Sequence, residues 1–278
     1  MQEIGVFKIR ASAAHELMGP MGLTVSQLAT LNKLKEKVLS GKSLTANQQE
    51  THDDLLKKAN NPELPKGAKS YCDNWIIERL YDRRKPVYSK YIDKGNECED
   101  DAIEYVSGVL GWGLVFKNTE RIENDWLTGE CDINLPNSVE DIKNCYDCFT
   151  FPLLEDELND KANEMQIQCY MHLYGKKKGG VVKVLMNSPE SIVDKECRIV
   201  ASRNDGELTE DEYEEILNYH TYDHLDDKLR VKRFEFDYDE KTILELKKRV
   251  ILCRKYIKKQ LKSIGYEYDS EKGFLIPG

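Results

Sequence analysis

Gly129–Lys143 reads GECDINLPNSVEDIK, two short runs on either side of Pro136-Asn137, and the reading of this stretch decides the fold. Proline and asparagine supply turn conformations, so the stretch predicts a β-hairpin. In a hairpin symmetric about that turn, Asp132 lies directly opposite Asp141, with Cβ atoms about 4.5–5.5 Å apart. Side chains in a strand alternate between faces, so Lys143 shares the face of Asp141. The same register sets Glu130 opposite Lys143, where a salt bridge is expected. Two facing carboxylates repel unless something neutralises them, and a divalent cation held by hard oxygen ligands does so. The hairpin is therefore a candidate metal site.

Working outward, strands are expected over 112–118, 126–134 and 138–145. A helix over 97–110 should bury Ala102, Ile103, Val106 and Leu110. Glu99 precedes that stripe by helical spacing and points along it; compensation of the helix dipole in a first turn is the plainer account of an acid there. Downstream, the spacing predicts a helix over 153–174 with Gln166 and Tyr170 paired at i and i+4 along the edge of its apolar face. Gly175 and Gly179-Gly180 then lead into a buried-type strand, Val181 to Met186. This order gives an α/β (α+β) fold, a central mixed β-sheet flanked by helices.

The flanks elaborate one expected domain spanning 1–278, with its catalytic core over 94–190. Capping-box patterns at Thr24–Gln27 and Thr45–Gln48 predict a helical hairpin over 24–62, and a further helix is expected over 67–82. Residues 191–278 read as peripheral: a loop or helix over 189–206, an acidic helix over 209–219, a strand from Arg230 to Phe236, and a final helix over 239–263. That last helix carries Ile243, Leu246, Val250, Cys253, Ile257 and Leu261 on one face and a run of lysines and arginines on another, read as a solvated face or a DNA-facing rim.

The chain has 278 residues, 40% hydrophobic and 33% charged. No apolar run reaches the length of a signal peptide or a membrane span, so the expectation is a cytoplasmic protein (host cytoplasm if phage-encoded) with no membrane partner. Its eight scattered cysteines suit reduced thiols. A net charge of −9 argues against passive coating of nucleic acid but leaves room for a local contact through a metal and a few basic groups. Cys145 and Cys148 form a CxxC without a second pair at zinc spacing, and His220 and His224 form HxxxH without a following glutamate.

Three acids with a lysine are what metal-assisted phosphodiester hydrolysis requires. Asp132 followed by Asp141-Ile142-Lys143 resembles the motif of the PD-(D/E)XK nucleases, although Cys131 stands where that motif usually has proline. Lys94-Gly95 with Glu99 and Ala102 is similar to the superfamily's helical glutamate motif, and Gln166-Ile-Gln-Cys-Tyr170 to the QxxxY helix motif of its RecB-like and phage branches. Arg10-Ala-Ser12-Ala-Ala-His15 resembles the opening segment of the lambda-exonuclease-like and YqaJ viral recombinase family. The resemblance covers about residues 7–20 and 94–190. It implies a restriction-endonuclease-like core, to which the helical hairpin over 24–62, outside the resemblance, is an N-terminal insertion. It further implies that Glu99, Asp132, Asp141 and the Ile142 carbonyl bind one or two Mg²⁺ or Mn²⁺ ions, that Lys143 positions the attacking water, and that Gln166 supports the site. Arg10 and Ser12 would receive a terminal 5′ phosphate, with Tyr170 also on the DNA side. The implied activity is 5′-to-3′ exonuclease action on linear double-stranded DNA, with a single-strand annealing protein as partner and a ring trimer as the homo-oligomer. An endonuclease of the same superfamily and a non-catalytic helical interaction protein are the alternative readings.

Overall fold

The computed structural model describes residues 2–60 and 63–277. In chain order its elements begin with β1 (Gln2–Glu3), β2 (Ile9–Arg10) and a 3-10 turn (Ala11–Leu17). Helices α1 (Val25–Leu39), α2 (Ala46–Asn60), α3 (Lys66–Tyr81), α4 (Lys90–Glu97) and α5 (Glu99–Val109) follow. Next come β3 (Ile122–Glu123), β4 (Leu127–Gly129), β5 (Ile133–Asn134), β6 (Ser138–Asn144), α6 (Lys161–Tyr174) and β7 (Lys178–Val184). The chain continues through α7 (Glu190–Arg203), α8 (Glu210–His220), β8 (Val231–Asp237), α9 (Glu240–Ser263), β9 (Tyr266–Asp269) and β10 (Phe274–Pro277).

Two compact units emerge. One comprises residues 1–9, 13–85 and 241–278; the other comprises 10–12 and 86–240. In the first, α1 and α2 form the expected helical hairpin, whose expected end at 61–62 lies outside the described residues. Both expected capping boxes are made: Thr24 and Gln27 exchange bonds at the start of α1, and Thr45 and Gln48 do so before α2. Leu31 and Leu34 bury one side of α1, while Val25, Leu28 and Val38 stay exposed. α9 buries Ile243, Leu246, Val250, Cys253, Ile257 and Leu261, its whole inward face. It is a core helix of this unit rather than a peripheral addition.

The second unit is built on a four-stranded sheet in the order β5-β6-β7-β8. The β5-β6 hairpin has the expected register, with Ile133 opposite Glu140 and Asn134 opposite Val139. Its turn closes through a Leu135 N–H bond to Ser138 O of 2.9 Å. β6 and β7 run parallel, joined through α6, and β7 and β8 antiparallel, so the sheet is mixed as expected. β8 completes this central sheet and is not peripheral. Ala102, Ile103 and Val106 of α5 pack with Ile133, Ile142, Val182, Val184 and Val231 to form the core beneath it.

Four local expectations are corrected. Residues 112–118 form no strand: glycines at positive φ, Gly111 (68°) and Gly113 (74°), interrupt the run. The strand expected over 126–134 splits, with β4 paired to β3 and β5 paired to β6 in a different sheet. α6 starts at Lys161, not 153, because the Asp160 carboxylate caps it by accepting from Ala162 N and Asn163 N at 3.1 Å each. Leu153 and Leu154, inside the expected helix, lie exposed before it. The helix expected over 97–110 begins at Glu99, and a separate helix, α4, runs up to it and meets it at Cys98.

Candidate active site

β5 and β7 cover β6 on both edges, and the alternation of the strand sorts its side chains. Ser138, Glu140 and Ile142 take one face and Asp141 and Lys143 the other. Asp141 is fully buried. Lys143 Nζ lies 2.9 Å from both of its oxygens and donates a hydrogen bond to Oδ1. Gln166 Nε2 of α6 reaches the same Oδ1 at 3.3 Å and also donates to Tyr170 Oη at 2.8 Å, so the i, i+4 pair on α6 acts as one unit. Oδ2 of Asp141, although close to the ammonium, accepts no hydrogen bond and is buried.

Asp132 enters from just before β5. Its Oδ2 accepts the Ile142 N–H at 2.5 Å, and its own carbonyl accepts Asn118 N at 2.7 Å, fixing both ends of the residue. Burial and the neighbouring Asp141 charge push the Asp132 carboxyl up to about 7, against the opposing pull of Lys143 and the Ile142 N–H. Burial alone would lower Lys143, yet Asp141 and Asp132 outweigh it and hold the lysine above its ordinary value. The two carboxylates thus favour the charged form of Lys143.

Glu99 opens α5 with Oε2 2.6 Å from Lys117 Nζ, which also lies 3.7 Å from Asp100. Its charge adds to the upward push on Asp132. Among the described residues no group of three or more His, Cys, Asp or Glu side chains is arranged to hold a metal ion. The close acidic pair is Asp132 and Asp141. What the site does offer suits a hard divalent cation: carboxylates crowded into one buried patch at a cost visible in Asp132, and an Asp141 oxygen with no hydrogen bond to satisfy it.

Arg10 and Ser12 are exposed. Between them, Ala11 runs against β4 where Gly129 leaves room: a Cβ on Gly129 would stand 2.8 Å from Tyr170 Cε1 and 2.9 Å from Ala11 Cβ. The glycine thus lets the 10–12 segment pass next to Tyr170. Glu130 pairs with Arg121 at 3.4 Å rather than with Lys143, because the chain leaves the hairpin ladder before reaching it. Cys145 is buried and Cys148 exposed. His220 is buried between Ser188 Oγ and Glu196 Oε2, each at 2.8 Å, while His224 is exposed, so HxxxH forms no pair.

Two charged residues of the site carry no motif or periodicity that marks them. Lys117 falls inside a run whose composition predicts a strand, and only the fold reveals that it reaches Glu99. Asp160 caps a helix, yet it also lies 3.5 Å from Lys183 and contributes to the charge around Lys143.

No sequence-family profile matches the chain, and no curated protein sequence does. Solved structures do match. The crystal structure of a phage-related exonuclease from Haemophilus somnus 129PT superposes with a TM-score of 0.65 at 23% identity, covering 94% of this chain and 98% of that one. The alkaline exonuclease LHK-Exo from Laribacter hongkongensis superposes with a TM-score of 0.53 at 12% identity, covering 92% of this chain and 91% of that one. Its complex with dAMP gives 0.53 at 13% identity over the same shares. These shares leave no large part of the chain outside the comparison, and the chain has the fold of the phage-related and alkaline exonucleases.

Proposed function

We propose that the chain is a metal-dependent DNA exonuclease that degrades linear double-stranded DNA in the 5′-to-3′ direction and leaves a 3′ single strand for an annealing protein in phage-type recombination. The observation that carries this reading is the hairpin pair Asp132 and Asp141 with Lys143 on the strand of the second acid, on a fold shared with exonucleases. LHK-Exo has been determined with dAMP, a deoxynucleoside monophosphate, the class of product that such an enzyme releases.

Glu99, Asp132, Asp141 and the main chain at Ile142 would hold one or two Mg²⁺ or Mn²⁺ ions, whose chemistry is to polarise the phosphate and stabilise the leaving oxygen. The protein's own groups prepare the site. Gln166 fixes one Asp141 oxygen and ties it to Tyr170, while the Ile142 N–H fixes Asp132. Lys143, which donates to Asp141 Oδ1, would position the attacking water, whose proton passes to solvent. Arg10 and Ser12, on the segment that passes Tyr170, would receive the terminal 5′ phosphate.

The test uses linear and closed circular duplexes, with and without a 5′ phosphate, in Mg²⁺ or EDTA. The expected result is release of mononucleotides from linear DNA in Mg²⁺ alone, faster with the 5′ phosphate. Cutting of closed circles would make the chain an endonuclease, and no digestion of any duplex would overturn the reading.

A further inference from the structure

Between Glu245 and Glu267 the chain carries no acid, while it carries eight basic residues there, within a protein of net charge −9. This is most of α9. Two of the eight are spent inside their own unit. Arg249 bonds Glu245 and the main chain at Leu17 and Gly19, and Arg254 bonds Phe7 O. Lys248, Lys255, Lys258, Lys259 and Lys262 are exposed.

Lys248 lies 4.0 Å from Glu245. Among the described residues none of the other four exposed lysines forms an ion pair. The acids that feel them are Asp269 (from Lys258) and Glu63 (from Lys259), and Glu63 is already bonded by Lys69. At 3.6 residues per turn, Lys248, Lys255, Lys259 and Lys262 fall within about 60° of the helix circumference, along about 21 Å of its axis. Lysines 255 and 259, and 258 and 262, stand at i, i+4, where like charges destabilise a helix. A surface kept merely soluble would mix signs at these positions, and acids are plentiful elsewhere in the chain.

We infer that this lysine ridge on α9 is a second DNA contact, a track for the phosphate backbone of duplex DNA. The inference rests on the proposed nuclease reading. One strand of duplex presents a phosphate every 3.4 Å of axis, so the ridge spans about six. The opposite face of α9 is buried to within 1% in the core of its unit, at Ile243, Leu246, Val250, Cys253, Ile257 and Leu261. The helix therefore offers one edge and cannot enter a groove to be surrounded by base edges. Ammonium groups on flexible stems, aimed at phosphates, hold DNA without reading its sequence. That suits an enzyme that must pass along any duplex.

The experiment compares the full chain with a Lys255→Gln/Lys259→Gln/Lys262→Gln variant. Binding of a fluorescein-labelled, 5′-phosphorylated linear duplex in EDTA is followed by anisotropy from 50 to 200 mM NaCl. Every phosphate that the variant no longer neutralises should flatten the slope of log K against log salt by about 0.9, so the variant should be shallower by roughly 2 to 3. Its thermal midpoint should be unchanged or raised, since two like-charge pairs are relieved. An unchanged slope in a variant whose parent digests DNA overturns the ridge and leaves the nuclease reading intact. A parent that neither binds nor digests duplex overturns both. Binding of the parent to phosphatidylserine vesicles, but not to duplex, overturns the ridge in favour of a membrane surface.

Discussion

Asp132 is the residue where function and stability pull apart. Its carboxyl is raised from 3.8 to about 7 by burial and by Asp141. A raised acid favours the folded state when protonated. Its stabilising contribution is intact below about pH 4 and is lost as the pH climbs to about 7. The chain in EDTA should therefore lose stability over that window, and Asp132→Asn, which keeps an acceptor for the Ile142 N–H, should remove much of the loss. Urea midpoints of both proteins at pH 4.5 and 8 check this. The variant should be the more stable at pH 8 and show little advantage at pH 4.5; an equal pH response in the two would deny the repulsion. The pair and its facing register are legible from residue identity, since turn chemistry and strand alternation are local. Lys117 is not legible, because its partner Glu99 is brought near by a loop whose path no periodicity encodes.

Strand β6 carries opposite tasks on its two faces. Behind the acid face, Glu140 is fully buried and takes both Arg233 Nε and Nη2, at 2.9 and 2.8 Å, together with Ser138 Oγ at 2.6 Å. This ion pair sits over Gly180, where a Cβ would stand 2.7 Å from Arg233 Nε and collide with Glu140, so β7 must be bare at that point. Arg233→Met would leave a carboxylate buried without its cation and should cost about 3–5 kcal/mol. A fall in urea midpoint matching that range is expected, and a loss under about 1 kcal/mol would mean that Glu140 protonates or rehydrates cheaply. The run EDIK shows two adjacent acids; the register alone sends Asp141 to the site and Glu140 to Arg233. Long periodic helices such as α9 are legible for the same reason that strands of two or three residues are not, because β3, β4 and β5 are too short to display a period and are defined by their partners.

Across the whole molecule, the mixed sheet and its flanking helices are readable from element order, whereas the membership of β8 in the central sheet is not. Its pairing with β7 joins segments far apart in the sequence, and nothing in RVKRFEF names that partner. No helix among the described residues is long and apolar enough to cross a membrane. The proposed function makes one central claim, that this hairpin is where phosphodiester bonds are cut. The direct measurement is the rate of mononucleotide release from a 5′-phosphorylated linear duplex in Mg²⁺ by the parent and by Lys143→Ala, with circular dichroism to verify that both are folded. Loss of the ammonium that orients water and balances charge should lower the rate roughly 10²–10³-fold, whereas a folded Lys143→Ala protein that digests DNA at the parent's rate would contradict the account.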